Sequence, residues 1–217
     1  MLTAVKILSA GDVLYTQGLS GHGQAELRVK VPDPADAGGY QEVLQYIIDY
    51  LSSYNARITE GQTLKLGYWV LRFEGSADGM LDLWEYDEKC ESFQPGIGIA
   101  FRYWCSQLDV CDRVQAPFDP PAADRLVAVS DGVLDGLRPL EGVRYSPSEH
   151  MSGWLLTTDL YDGDINSMKL LHAYHVTAAR PELARYFGLP PGFRFALDDH
   201  EHVWFDEKVT AEAHEQG

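Results

Sequence analysis

The sequence predicts an α+β protein of two subdomains, each with an antiparallel sheet and helices packed on one face. Three observations lead to this prediction. Several short segments alternate apolar and polar residues with period two, two longer segments have helical apolar spacing, and a proline-rich stretch lies near the middle of the 217 residues. Hydrophobic residues make up 45% of the chain and charged residues 23%, a composition typical of globular proteins.

Residues 1–115 are predicted to form an N-terminal subdomain with the order β-β-α-β-β-α. Residues 5–8 and 25–31 have strand character, and residues 40–54 have the apolar stripe of a helix. A long strand over residues 64–73 and its hairpin partner over residues 80–86 follow. A second helix begins near residue 97, where Ile97, Ala100, Phe101, Trp104, Cys105 and Leu108 keep helical spacing.

Four carboxylates lie at the end of the predicted hairpin, at Asp82, Glu85, Asp87 and Glu88. Side chains alternate between the two faces of a strand, so Asp82 and Glu85 point to opposite faces. A catalytic carboxylate pair is therefore not indicated, and we predict a solvated acidic edge.

A proline-rich linker is predicted at residues 116–123, which include Pro117, Pro120 and Pro121. Prolines so closely spaced stop a helix and favour an extended connection. The domain boundary is placed there, and residues 124–217 form the second predicted domain.

The second domain contains four predicted strands, over residues 126–130, 154–158, 193–197 and 202–205. Residues 165–174 are predicted to be helical, and a short helix begins at Pro181, a residue suited to the first helical position. Gly153 precedes Trp154 at the start of a strand. This pair indicates a close backbone approach or a bulge, with the indole buried.

The net charge of −16 divides evenly, with −8 on residues 1–121 and −8 on residues 122–217. Such a surface repels nucleic acid and anionic membranes, so neither is an expected partner. It favours a basic partner, whose approach it accelerates.

The densest group of possible ligands consists of Asp159, Asp162, Asp164, His172 and His175. The two histidines are three residues apart, so one helix can present both to a metal, but the oxygen series of a calcium loop is incomplete. We predict no metal, no cofactor and no catalytic residues. A small hydrolase or metal-dependent enzyme using this region stays open as an alternative, as does a ligand-binding regulator using the aromatic-rich N-terminal sheet.

Targeting signals and membrane spans are not predicted from the sequence. The three cysteines, Cys90, Cys105 and Cys111, lack CxxC spacing, and free buried thiols are expected. We therefore predict a cytoplasmic protein.

Short motifs in the second half occur in the order and spacing of a known family. They are Val129-Ser130, Gly132-Val133-Leu134 with Gly136, Val143-Arg144-Tyr145, Ser152-Gly153-Trp154, Pro181-Glu182-Leu183, Leu189-Pro190-Pro191-Gly192, Phe195 and Val203-Trp204-Phe205. Over residues 126–207 the chain resembles the immunity protein 33 domain family of bacterial polymorphic-toxin immunity proteins. Where that family carries a glycine followed by acidic residues, this chain has Thr157-Thr158-Asp159 and Asp162-Gly163-Asp164.

The resemblance implies an intracellular immunity-type protein that neutralises a cognate toxin by direct binding. An acidic protein suits a basic toxin domain, since opposite charges speed association. The predicted partner-binding residues are Asp131, Glu149, Asp159, Asp162 and Asp164.

Overall fold

The computed structural model describes residues 5–210. Contacts between residues divide the chain into an N-terminal unit, Met1–Arg102, and a C-terminal unit, Tyr103–Gly217. Each unit contains one mixed sheet and helices, which confirms the α+β class.

The predicted linker, residues 116–123, lies within the C-terminal unit rather than between the units. It is extended, as its prolines require, but tertiary hydrogen bonds hold it in place. The Asp119 N–H donates to the Gly188 carbonyl at 2.9 Å, and the Arg144 guanidinium donates to the Asp119 carbonyl.

The N-terminal sheet has seven strands: β1 Lys6–Ala10, β2 Val13–Gln17, β3 Leu27–Lys30, β4 Thr63–Leu66, β5 Trp69–Gly75, β6 Leu81–Tyr86 and β7 Phe93–Pro95. Their order is β1-β2-β3-β6-β5-β4, and β7 also pairs with β6. Strands β2 and β7 were not predicted. The predicted long strand over residues 64–73 is two strands, β4 and β5, joined by a turn at Gly67, where φ is +54°.

Pairing in this sheet is antiparallel except between β3 and β6, where Leu27 lies opposite Leu81. The predicted antiparallel sheet is therefore mixed, because this one pair is parallel. Helix α1, Ala37–Tyr54, and the β4–β5 hairpin carry the chain back before β6 begins, so β6 runs parallel to β3.

The predicted apolar stripe of α1 is confirmed. Its buried residues are Tyr40, Val43, Leu44, Ile47, Ile48 and Leu51. The second predicted helix is also present, as α2, Gly98–Arg113.

Glu85 corrects the prediction of a solvated acidic edge, because it is only 2% exposed. Its carboxylate accepts hydrogen bonds from the backbone N–H groups of Ile99 and Ala100 in the first turn of α2. These N–H groups have no partner within the helix, and the positive end of the helix dipole stabilises the carboxylate. The strand alternation was right, since Asp82 is half-exposed and forms an ion pair with Arg28.

The C-terminal sheet has six strands: β8 Leu126–Val129, β9 Leu140–Arg144, β10 Met151–Thr158, β11 Lys169–His172, β12 Phe193–Leu197 and β13 Glu201–Phe205. Their order is β11-β8-β10-β9-β12-β13. Strands β8 and β10 are parallel and the other pairs are antiparallel, so this sheet is mixed as well.

The helix predicted over residues 165–174 is wrong for most of its length. Ile165–Ser167 forms a single 3₁₀ turn, Lys169–His172 is the edge strand β11, and helix α3 begins only at Ala173 and ends at Ala179. Pairing of β11 with β8, with Lys169 opposite Val129, overrides the local helical pattern.

Candidate functional site

Two loops meet at one end of the C-terminal sheet. Strands β8 and β10 are parallel neighbours, so both end at the same edge. The β8–β9 loop (residues 130–139) leaves the first strand there, and the β10–β11 loop (residues 159–168) leaves the second.

Polar contacts join the β8–β9 loop to the two residues that flank the β10–β11 loop. The Thr158 Oγ1 donates to the Asp131 carbonyl at 2.7 Å, and the Thr158 N–H donates to the Ser130 Oγ at 3.1 Å. The Lys169 ammonium at the start of β11 forms an ion pair of 2.7 Å with the Asp131 carboxylate. The β8–β9 and β10–β11 loops therefore leave the sheet side by side at this end.

Four of the five predicted partner-binding residues lie on these loops: Asp131, Asp159, Asp162 and Asp164, all exposed. The Asp162 carboxylate accepts hydrogen bonds from the Asp164 N–H and the Ser167 hydroxyl. These two donors lower the pKa of Asp162, so this carboxyl is charged at neutral pH.

The fifth predicted residue, Glu149, lies at the opposite end of β10. It precedes the first residue of that strand, Met151, and the carbonyl of its neighbour His150 accepts a hydrogen bond from the N–H of Leu126, where β8 begins. An eight-residue strand is about 26 Å long. The structure therefore does not bring Glu149 to the loops that carry the four aspartates.

Exposed apolar side chains share this end of the sheet, and the sequence prediction missed them. The described residues include nine exposed large hydrophobic residues, of which five lie on the two loops and on the adjoining edge strand β11. We call these five the apolar patch: Leu134, Leu137, Leu160, Ile165 and Leu170. The sequence does place these leucines beside glycines and aspartates, which is typical of exposed loops. The burial of a single leucine, however, cannot be predicted from its sequence neighbours.

Arg180 supports the β8–β9 loop from beneath. It is 7% exposed, and its guanidinium donates to the Val133 carbonyl and to the Glu182 carboxylate. The same guanidinium lies against Gly136, where φ is +81°. The loop is therefore held by a buried cation and a glycine turn.

The histidines of the alternative metal or hydrolase site lie elsewhere. His172 is opposite Leu126, whereas Lys169, at the other end of β11, is opposite Val129 near Asp131. His172 and His175 are neighbours, with ring centroids 5.8 Å apart, but β11 separates them from the three aspartates. Within residues 5–210, no group of three or more histidine, cysteine or carboxylate side chains is placed to hold a metal ion.

The cysteines are free, as predicted, but only Cys111 is fully buried, while Cys90 is intermediate and Cys105 is exposed. Burial raises the pKa of the Cys90 thiol to about 12 and that of Cys111 to about 11. Both are therefore protonated at neutral pH and weakly nucleophilic.

The aromatic N-terminal sheet of the ligand-binding alternative has a shallow cleft of about 300 Å³ on one face. Arg28, Asp82 and Trp84 are among its lining residues. Arg28 already forms ion pairs with Asp82 at 2.6 Å and with Asp78 at 2.8 Å. Arg28 is therefore paired within the protein, and the second lining cation, Lys30, lies 3.5 Å from the Asp12 carboxylate.

The motifs of the family resemblance converge on one buried cation, Arg144, which is 2% exposed. Its guanidinium donates to the carbonyls of Ser152, Leu189 and Asp119. Burial lowers the pKa of Arg144, and the Asp119 carboxylate opposes this shift. Segments that are far apart in the chain are thus joined at a single side chain.

Gly153 and Trp154 have the structural roles predicted for them. Gly153 has φ of +83°, and the β8–β10 register shifts between Met151 and Leu155, as at a bulge. A Cβ at Gly153 would lie 2.2 Å from the Tyr145 carbonyl oxygen. Trp154 is 1% exposed and packs between Phe187 and Phe195.

The C-terminal unit is therefore an α+β domain. Residues of the family motifs lie in its core, and its loops expose acidic and apolar side chains. The family model of the Imm33-like domain matches residues 106–206, which confirms the predicted resemblance and extends it upstream into α2. The match indicates an immunity-type protein.

Comparisons with curated proteins and with solved structures give no match. No helix within residues 5–210 has both the length and the apolar character to cross a membrane.

Proposed function

We propose that this protein neutralises a cognate bacterial toxin by binding it directly. The observation that carries the proposal is the Imm33-like domain over residues 106–206, since domains of this kind belong to immunity proteins. The geometry supports it, because the domain offers an exposed, mixed acidic and apolar surface on loops that the fold holds in place.

The proposed partner is a basic domain of the toxin. The chain carries a net charge of −16, and Asp131, Asp159, Asp162 and Asp164 add a local negative field at the end of the C-terminal sheet. Carboxylates at the rim of an interface attract a basic surface and raise the association rate. These four residues are the proposed acidic contacts, and Glu149 at the opposite end of β10 serves as the internal comparison.

Co-expression with a toxin domain from the same genome tests the proposal, starting with any that the neighbouring reading frames encode. We expect cells producing the toxin domain to grow only when this protein is present, and the two purified proteins to form a stable complex. The variant D159N/D162N/D164N should bind more slowly, whereas E149Q should bind like the wild type. Absence of both complex formation and growth rescue would show that the chain is not the immunity protein of that toxin.

A further inference from the structure

We infer that the apolar patch is the centre of the toxin-docking surface and that the aspartates form its rim, an inference that rests on the proposed function. The partner it fits is a basic protein domain whose contact surface has an apolar centre flanked by lysine or arginine. A fully desolvated apolar centre with a polar rim is the usual anatomy of a protein interface.

The first argument is the concentration of exposed apolar area. Leu160 is 59% exposed, Ile165 60% and Leu170 55%, and Leu134 and Leu137 are 38% and 44% exposed. Single exposed leucines are ordinary, but a group of them at one end of a sheet marks a surface that another molecule covers.

The second argument is that contacts within the chain hold both loops. Arg180 anchors Val133, and Leu137 lies against Gly132 in the β8–β9 loop. In the β10–β11 loop the Asp164 side chain accepts a hydrogen bond from the Asn166 N–H, which places Ile165 on a capped turn. A surface held in this way loses little conformational entropy on binding.

The third argument is charge, which selects the occupant. Within residues 130–139 and 159–170, the aspartates are Asp131, Asp135, Asp159, Asp162 and Asp164, and the cations are Arg138 and Lys169. Lys169 is paired with Asp131, and Arg138 donates to the Asp198 carbonyl. Five carboxylates against two cations leave these residues with a net charge of −3. A second copy of this chain, with its own −16, and an anionic membrane are both repelled, whereas a basic domain is attracted.

The two kinds of side chain should affect different rate constants. Truncating an apolar anchor mainly speeds dissociation, because the packed centre of the interface is lost. Neutralising rim carboxylates mainly slows association. The rate constant that changes therefore shows whether the apolar patch is the centre of the interface or whether the surface only attracts the partner by its charge.

The probe is the purified toxin domain against which this protein protects cells in the co-expression experiment. Rate constants are measured by stopped-flow or surface plasmon resonance. The variant L160S/I165S should dissociate about tenfold faster or more, with association changed by less than about twofold. Leu170→Ser should have the same type of effect. Tyr54→Ser, which alters a 74% exposed aromatic residue of the N-terminal unit, is the matched control and should leave both rates unchanged. Unchanged melting temperatures would show that the variants fold.

Two contrary outcomes are distinguishable. If the wild type binds and neutralises the toxin domain but L160S/I165S and Leu170→Ser dissociate at the wild-type rate, the apolar patch is not the docking centre and the proposed function stands. If the wild type does not bind, the proposed function and this inference both fail.

Discussion

The Arg144 guanidinium donates a hydrogen bond to the backbone carbonyl of Leu189, and the Gly192 N–H donates in return to the Arg144 carbonyl at 2.8 Å. One residue thus joins strand β9 to the proline-containing loop that precedes β12. Its hydrogen bonds to the Ser152 and Leu189 carbonyls are buried, so these two carbonyls have no access to an alternative donor from water.

Replacing Arg144 by methionine should lower the free energy of unfolding by at least about 2 kcal/mol. Methionine fills part of the volume but leaves the carbonyls without a donor, and each buried unsatisfied group costs about 1–3 kcal/mol. Urea unfolding measures the loss. Arg125→Met changes an exposed arginine and should stay within about 0.5 kcal/mol of the wild type. A stable Arg144→Met variant would contradict the structural role of this cation.

Gly153→Ala should be far more destabilising than Gly163→Ala. Both glycines have a left-handed backbone, with φ of +83° and +86°, which costs an alanine about 1–2 kcal/mol. A Cβ at Gly163 meets nothing within 4 Å, whereas at Gly153 it would overlap the Tyr145 carbonyl oxygen. We expect a loss of more than about 3 kcal/mol for Gly153→Ala, measured by thermal or urea unfolding. Equal losses of unfolding free energy for the two variants would show that the overlap with the Tyr145 carbonyl oxygen does not destabilise the protein.

Trp154→Ala should cost about 3–5 kcal/mol of stability because it leaves a cavity between Phe187 and Phe195. Trp204→Ala is the comparison, since that indole is 37% exposed and its removal should cost less than half as much. Chemical unfolding of both variants tests the difference. Wild-type stability of Trp154→Ala combined with lost toxin binding would instead identify Trp154 as a contact residue.

Glu85 should make stability depend on pH. Burial raises the pKa of this carboxyl above its usual value of 4.5, and the N–H groups of Ala100 and Ile99 oppose the shift. Between the unfolded and the folded pKa the native state binds more protons than the unfolded state, so the contribution of Glu85 to stability falls as pH rises through this window.

The Glu85→Gln variant, which cannot ionise, removes this dependence. We therefore expect the unfolding free energy of the variant, relative to the wild type, to increase as pH rises from about 4.5 through the folded pKa. Urea unfolding across this range measures the difference. Glu88→Gln, whose side chain is 64% exposed, is the control variant from the same hairpin. The difference in unfolding free energy between Glu85→Gln and the wild type could instead be the same at every pH. Glu85 would then not titrate as a buried group.

Salt should slow association with the toxin domain. Raising the ionic strength from about 0.05 to about 0.5 M shortens the Debye length from about 14 Å to about 4 Å. The association rate constant should then fall about tenfold or more, while the dissociation rate constant changes little. Stopped-flow association rates that stay constant over this range would exclude electrostatic steering.

The sequence by itself determined the α+β class, the strands with clean alternation such as β3, β10 and β12, and the amphipathic helix α1. It also determined the negative charge and the order of motifs that identifies the Imm33-like domain. Each of these properties depends on residues that are close together in the chain, or on a count of residue types over the whole chain. Local periodicity and composition therefore suffice to predict them.

Only the tertiary structure decided which residues meet. Residues 169–172 became a strand because β8 offers a free edge, and Glu85 became buried because α2 begins beside it. Parallel pairing of β8 with β10 brought Asp131 and Asp159 to one end of the sheet and left Glu149 at the other. Contacts of this kind depend on pairing between distant segments. The stability of such pairing comes from the whole sheet and not from the local sequence of either segment.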